Sequence, residues 1–209
     1  MMSVLARDVG QRGLPDFTAR QRLHGQHPVA AIDDLLDAAG DDWLVRETIS
    51  MIRRTLKRLE LSARSTTAMI EPGSCFAGWL FELALAGDRS YMLDGPWDSP
   101  GDTANDVAKL RLSPLNFGAL AMGNGLSRLA TRFLGQDQAS ASLRGEQGVD
   151  LDAAQADKLG LVTFTPDAID WDDEIRVALE ARASFSPDGL TGLEANLRFP
   201  GPETIETKI

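Results

Sequence analysis

The chain has 209 residues, 43% hydrophobic and 25% charged, enough apolar material for one domain with a sizeable core. Its 31 acidic residues against 21 basic ones leave a formal net charge of -10. That balance excludes a general nucleic-acid binder, because no surplus of cations exists to displace phosphate counterions. One cysteine, Cys75, and two histidines, His24 and His27, exclude an internal disulfide and a metal site built from several Cys or His. No apolar run reaches the roughly 18 residues that a bilayer crossing needs, and no basic-then-apolar signal opens the chain. A cytoplasmic location with no membrane partner is expected.

Residues 1–28 carry no sustained periodicity and are interrupted by Gly10, Gly13, Pro15, Gly25 and Pro28. Residues 1–30 are therefore expected to be a flexible segment, poorly matched to the rest. From Ala31 the pattern turns helical. A short segment over 32–39 ends at Gly40, and Asp41 or Asp42 caps the next helix. Val45, Ile49, Ile52, Leu56 and Leu59 recur at spacings of four and three, which predicts an amphipathic helix. Arg53, Arg54, Lys57 and Arg58 lie off that stripe. They suit a solvated face better than a phosphate site.

Thr66 to Ile70 reads as a short buried strand, broken by Pro72-Gly73. A helical Ala/Leu/Glu run then begins between Phe76 and Gly78. Such a junction directs unpaired backbone N–H groups at one spot, where they can hold the negative charge developing on a thioester oxygen. An ordinary βα turn is the plainer reading. Residues 89–93 form the next predicted strand, 94–106 a Gly/Pro/Asp-rich loop, and 109–112 a strand closed by Ser113-Pro114. Gly118, Gly123 and Gly125 make a pliable loop before a helix whose core side is Leu126, Leu129, Ala130 and Phe133.

Residues 135–150 are expected to be a loop with a helical fragment, 151–159 a short helix stopped by Gly160, and 161–165 a strand. Asp170 is expected to cap a helix bearing Trp171, Ile175, Ala178 and Leu179. Ser186-Pro187 opens a last helix carrying Leu190, Leu193 and Leu197, and the tail from Pro200 has little to pack. Strands alternating with helices predict an α/β fold with partly parallel strands and helices gathered at the C-terminal end.

The junction at 70–88 resembles the crotonase (enoyl-CoA hydratase/isomerase) superfamily. Gly78 stands in the turn, Glu82-Leu83-Ala84 follows, and Asp88 opens the next strand. Gly125 followed by Arg128-Leu129 is similar to the superfamily's Gly-x-x-Arg-Leu helix start, and 153–162 to its Ala-rich helix ending in Gly-Leu-Val. Longer words narrow the likeness to the C-terminal half of the benzoyl-CoA-dihydrodiol lyase (2,3-epoxybenzoyl-CoA dihydrolase) family. They are 53–56, 70–78, 88–92, 116–118, 169–176 and 190–199.

The resemblance implies a crotonase-like βαβ spiral domain, present in part, over residues 31–209. It implies ring opening of an oxygenated CoA thioester by water, with loss of a one-carbon acid, in aerobic benzoate breakdown. No cofactor or metal is implied beyond the CoA of the substrate. Another enoyl-CoA hydratase/isomerase-type enzyme and a non-catalytic partner half stay open as alternatives.

Carried over by position, the backbone amides of Gly78 and Trp79 match the superfamily's oxyanion turn and Glu82 its acid/base carboxylate. The second carboxylate position holds Pro114, and no Asp, Glu or His occurs between Val107 and Gln136. The strand for the first oxyanion amide would precede Asp42, and residues 1–30 do not look like it. Cys75 reads as a small buried thiol, the acids Asp170, Asp172, Asp173 and Glu174 as a helix start, and Asn116 and Asn124 as turn-shaping amides. The chain is thus expected to be truncated and inactive alone. Incompletely covered helix stripes would favour a homo-oligomer or association with a missing N-terminal half.

Overall fold

The computed structural model describes residues 4–6, 17–19, 27–96 and 107–198. Its main sheet has four strands. β1 (Val4–Ala6) runs antiparallel to β2 (Phe17–Ala19), and β2 runs parallel to β3 (Thr66–Ile70). β3 in turn is parallel to β5 (Arg89–Met92), with Thr67 opposite Arg89 and Ile70 opposite Met92. A smaller sheet joins β4 (Phe76–Ala77), β6 (Leu110–Arg111) and β7 (Asp150–Leu151). The parallel β3–β5 pair is the α/β core that alternating strands and helices predict.

Residues 1–30 differ from the sequence reading, since they contribute two strands to this sheet. Each spans only three residues, too short for a period-two pattern, so pairing with β3 reveals them where periodicity does not.

Helix α1 spans His27–Ala38, starting five residues before the expected 32–39 segment. Pro28 is accommodated in its first turn, where the missing N–H has no intrahelical partner to lose. Asp42 caps α2 (Trp43–Leu56), its Oδ1 accepting from the amides of Leu44 at 2.8 Å and Val45 at 3.3 Å. Along the predicted stripe Leu56 is buried, and Ile49, Ile52 and Leu59 pack against Leu115 and Leu120. Leu59 itself sits in a 3₁₀ turn, Leu59–Leu61.

Beyond the Gly78–Leu80 3₁₀ turn lies α3 (Phe81–Leu85). Another 3₁₀ turn covers Pro114–Phe117, and α4 (Arg128–Arg132) and α5 (Asp137–Ser142) follow. The central core is formed by fully buried Ile70, Phe76, Phe81, Met92, Leu110, Leu112 and Trp171.

Several C-terminal expectations are corrected. Leu151 belongs to β7, and Asp152 caps α6 (Ala153–Lys158) through a reciprocal pair with Gln155. Residues 161–165 form no regular strand: they meet β5 at an isolated bridge, Phe164 opposite Tyr91. The carbonyl of Ser90 takes the amides of both Thr163 and Phe164, and the Thr163 hydroxyl takes the Ser90 amide, so side-chain bonds interrupt the ladder. Asp170 stands at the N-cap of α7 (Trp171–Ala183) without a side-chain cap bond. The side chain serving that turn is Asp167, which accepts from the amides of Ile169 and Asp170.

Ser186 does cap α8 (Pro187–Leu197), accepting from Gly189 at 3.1 Å. The buried side chain of α8 is Glu194, while Leu193 and Leu197 are exposed. Residues 97–106 of the expected 94–106 loop, and the tail from Pro200, lie outside the described residues.

Candidate functional site: an oxyanion-type turn

After β3 the chain reverses at Glu71–Ser74, with the Ser74 amide donating to the Glu71 carbonyl at 3.0 Å. It then passes through β4 to Gly78 at φ +53, and the 3₁₀ turn leads into α3. Residues 72–80 are thus a turn, the two-residue strand β4 where the helical run was expected to begin, and a 3₁₀ turn from Gly78 that leads into α3 at Phe81.

The Trp79 amide, placed in the oxyanion turn from sequence, donates to Oδ2 of Asp33 at 2.8 Å. The Ser113 hydroxyl donates to the same oxygen at 2.6 Å. Asp33 is 0% exposed, and its other oxygen, Oδ1, is buried with no hydrogen-bond partner among the described residues. Burial pushes the Asp33 carboxyl up to about 6, against the bonds from Ser113 and Trp79, with Asp34 adding to the rise.

The expected acid/base residue, Glu82, is 0% exposed and directs both oxygens at protein partners. Asn116 Nδ2 donates to Oε1 at 2.8 Å and Arg128 Nη1 to Oε2 at 2.9 Å. Asn116 also donates to the Gly78 carbonyl at 2.9 Å and accepts from the Ser113 amide at 2.9 Å. Arg128 reaches on to Glu60 at 2.7 Å, whose other oxygen accepts from the Gly123 amide at 2.9 Å. One buried network therefore runs from Glu60 through Arg128, Glu82 and Asn116 to the turn. Burial raises the Glu82 carboxyl above its usual range, while Arg128 and Asn116 pull it back.

Two motif words singled out separately, Glu82 and Arg128, meet as an ion pair. Asn116 is more than a turn-shaping amide, since it ties the turn carbonyl to Glu82. Asn124 is exposed, and its Oδ1 accepts from Leu126 at 3.1 Å. Pro114 starts the 3₁₀ turn beside Ser113 and contributes no carboxylate. Cys75 is fully buried and burial pushes its thiol up, the opposite of what nucleophilic activation needs. Arg54 on the basic face of α2 makes a long, exposed pair with Glu47 at 3.9 Å. Asp173 and Glu180 pair with Arg176 along α7.

Asp33 escapes the sequence reading. The signal was present: it lies four residues after Val29 and three before Leu36, and both pack inward. A cavity of about 410 Å³ is bordered by Glu60 and Arg128 at the far end of this network, and by Asp88, Arg132, Arg182 and Glu194; Gly78 and Trp79 do not line it.

No family model matches the chain. It is 53% identical over 181 residues to a benzoyl-CoA-dihydrodiol lyase of Aromatoleum evansii, a match covering 87% of this chain and 31% of that protein. The chain thus spans about a third of the length of the curated relative it matches. An enoyl-CoA hydratase of Mycobacterium smegmatis superposes with a TM-score of 0.52 at 22% identity, over 74% of this chain and 47% of the other. An enoyl-CoA hydratase/isomerase from Cupriavidus metallidurans gives 0.53 at 19% identity, over 81% and 57%. A protein of Bordetella parapertussis described as a candidate enoyl-CoA hydratase/isomerase gives 0.56 at 20% identity, over 95% and 88%. The chain therefore carries the crotonase fold, and in sequence it is a relative of benzoyl-CoA-dihydrodiol lyase.

Proposed function

We propose that this chain is the C-terminal crotonase-like portion of a benzoyl-CoA-dihydrodiol lyase type of protein and is inactive by itself. The substrate class is an oxygenated, dearomatised ring carried as a CoA thioester, opened by water in the cytoplasm during benzoate breakdown. The observation that supports this best is the Gly78–Trp79 turn, whose amide holds a carboxylate oxygen at 2.8 Å. A thioester carbonyl oxygen takes on the same charge when its carbonyl becomes an oxyanion, and donors aimed at that atom stabilise it. In this reading Gly78 and Trp79 are the oxyanion amides and Glu82 is the acid/base carboxylate, with no cofactor beyond the substrate's own CoA.

Inactivity follows from what surrounds that turn. Pro114 stands in place of the second carboxylate, and both Glu82 oxygens are held by Asn116 and Arg128. One positioned acid or base contributes roughly 10²–10⁴-fold and one oxyanion donor about 10²–10³-fold. A second reading, a non-catalytic partner half, is favoured by Asp33 filling the turn. Turnover of 2,3-epoxybenzoyl-CoA by the purified chain, followed by chromatography of the CoA esters, tests the proposal. The expected rate is background, unchanged by Glu82→Gln. Ring opening abolished by that substitution would overturn it and make Glu82 a working acid or base.

A further inference from the structure

We propose that Asp33 is an internal ligand of the Gly78–Trp79 turn, its carboxylate standing where an acyl oxygen would bind and barring that oxygen until α1 withdraws. The acyl identity rests on the function proposed above; the occupancy rests on geometry alone.

Two donors from different elements converge on Oδ2, the Trp79 amide at 2.8 Å and the Ser113 hydroxyl at 2.6 Å. The fit leaves no room for a second occupant. A Cβ built on Gly78 would lie 2.0 Å from Oδ2, so only glycine lets the carboxylate come this close to the backbone. The remaining oxygen, Oδ1, is buried and unpartnered among the described residues. A side chain kept only for packing would not bury a polar atom in that condition, because desolvation without a replacement bond is costly.

The element that carries Asp33 is suited to moving. Inward, α1 sets Val29 against Cys75, Ala77 and Leu80, and Leu36 reaches a neighbouring cluster. Outward, Ile32 and Leu35 are exposed. Withdrawal of α1 would therefore break few apolar contacts, together with the two bonds to Oδ2.

The test uses the full ¹⁵N-labelled chain and the Trp79 amide resonance, with sodium acetate and benzoyl-CoA as separate probes. In Asp33→Ala, acetate should shift that resonance with an affinity about tenfold or more above wild type, and benzoyl-CoA should do the same. Asp33→Asn keeps the turn filled and should respond as wild type does. Equal responses in wild type and Asp33→Ala would overturn the inference, as would a folded Asp33→Ala that answers neither probe. A response to acetate but not benzoyl-CoA upholds Asp33 as the internal ligand and sinks the thioester reading instead. Asp33→Ser takes the place of the alanine variant if circular dichroism shows the latter unfolded.

Discussion

At the scale of single residues, two buried carboxylates, Glu60 and Glu82, share one buried cation, Arg128. Arg128 offsets part of that charge by pairing Glu60 and Glu82 together. Removing it would leave two carboxylates without their cation, a situation that typically costs about 3–5 kcal/mol. Among the described residues Asp33 pairs with no cation and relies on two neutral donors. Its carboxyl, raised from 3.8 to about 6, binds a proton more tightly in the folded chain than in the unfolded one. Stability from this group is therefore greatest below pH 4 and falls as pH rises through 6. The loss is on the order of 2–3 kcal/mol. Asp33→Asn cannot titrate yet still accepts the Trp79 and Ser113 bonds. In urea titrations the variant should gain on wild type between pH 4 and pH 7.5, reaching an advantage of about 1–2 kcal/mol after the cost of an unpaired amide group. Parallel stability profiles across that range would show that the Asp33 carboxyl titrates alike in the folded and unfolded chain, so that the turn does not raise it.

At the scale of elements, α8 is fastened by a charge rather than by its leucines. Glu194 accepts from the Ser65 hydroxyl at 2.9 Å, from Arg182 of α7, and from Arg198 at 3.2 Å. Arg198 also donates to the carbonyls of Ser62 and Arg64, beside the start of β3. Burial, with Asp88 nearby, raises the Glu194 carboxyl above its ordinary range, although Ser65 and Arg198 oppose the rise. With Leu193 and Leu197 exposed, little apolar burial would hold α8 once this clamp is gone. Glu194→Leu should therefore speed amide hydrogen exchange across α8 by about tenfold or more and leave β3 and β5 protected. Uniform loss of protection in both regions would mean that α8 and the sheet unfold as one unit.

At the scale of the whole molecule, the described surface leaves large apolar side chains open on its N-terminal helices. Leu35 on α1 is 69% exposed, Trp43 on α2 67%, and Leu61 just beyond α2 84%. These are not the residues of the predicted α2 stripe, which is half-covered by Leu115 and Leu120. Trp43, Leu44 and Met51 lie outside that stripe and are exposed. Apolar surface of this kind favours association, with a second copy or with the rest of a longer protein. Sedimentation should show an average mass that rises with concentration and falls back to the monomer in a Trp43→Glu, Leu44→Glu variant. A compact wild-type monomer at high concentration would refute the association.

The sequence by itself determined the β3–turn–α3 junction, the caps at Asp42 and Ser186 and the α/β class. Each depends on neighbours within a few residues, through a turn proline, a capping oxygen or a hydrophobic period. It also carried the positions of Gly78, Trp79, Glu82 and Arg128 as separate words. Only the tertiary structure decided that Glu82 pairs with Arg128, 46 positions away, and that Asp33 answers the Trp79 amide across the same separation. The strands of residues 1–30 likewise become strands only through their place beside β3. The reason is common to all three: a buried charge or a three-residue strand has no local pattern, and its partner is set by how distant elements pack.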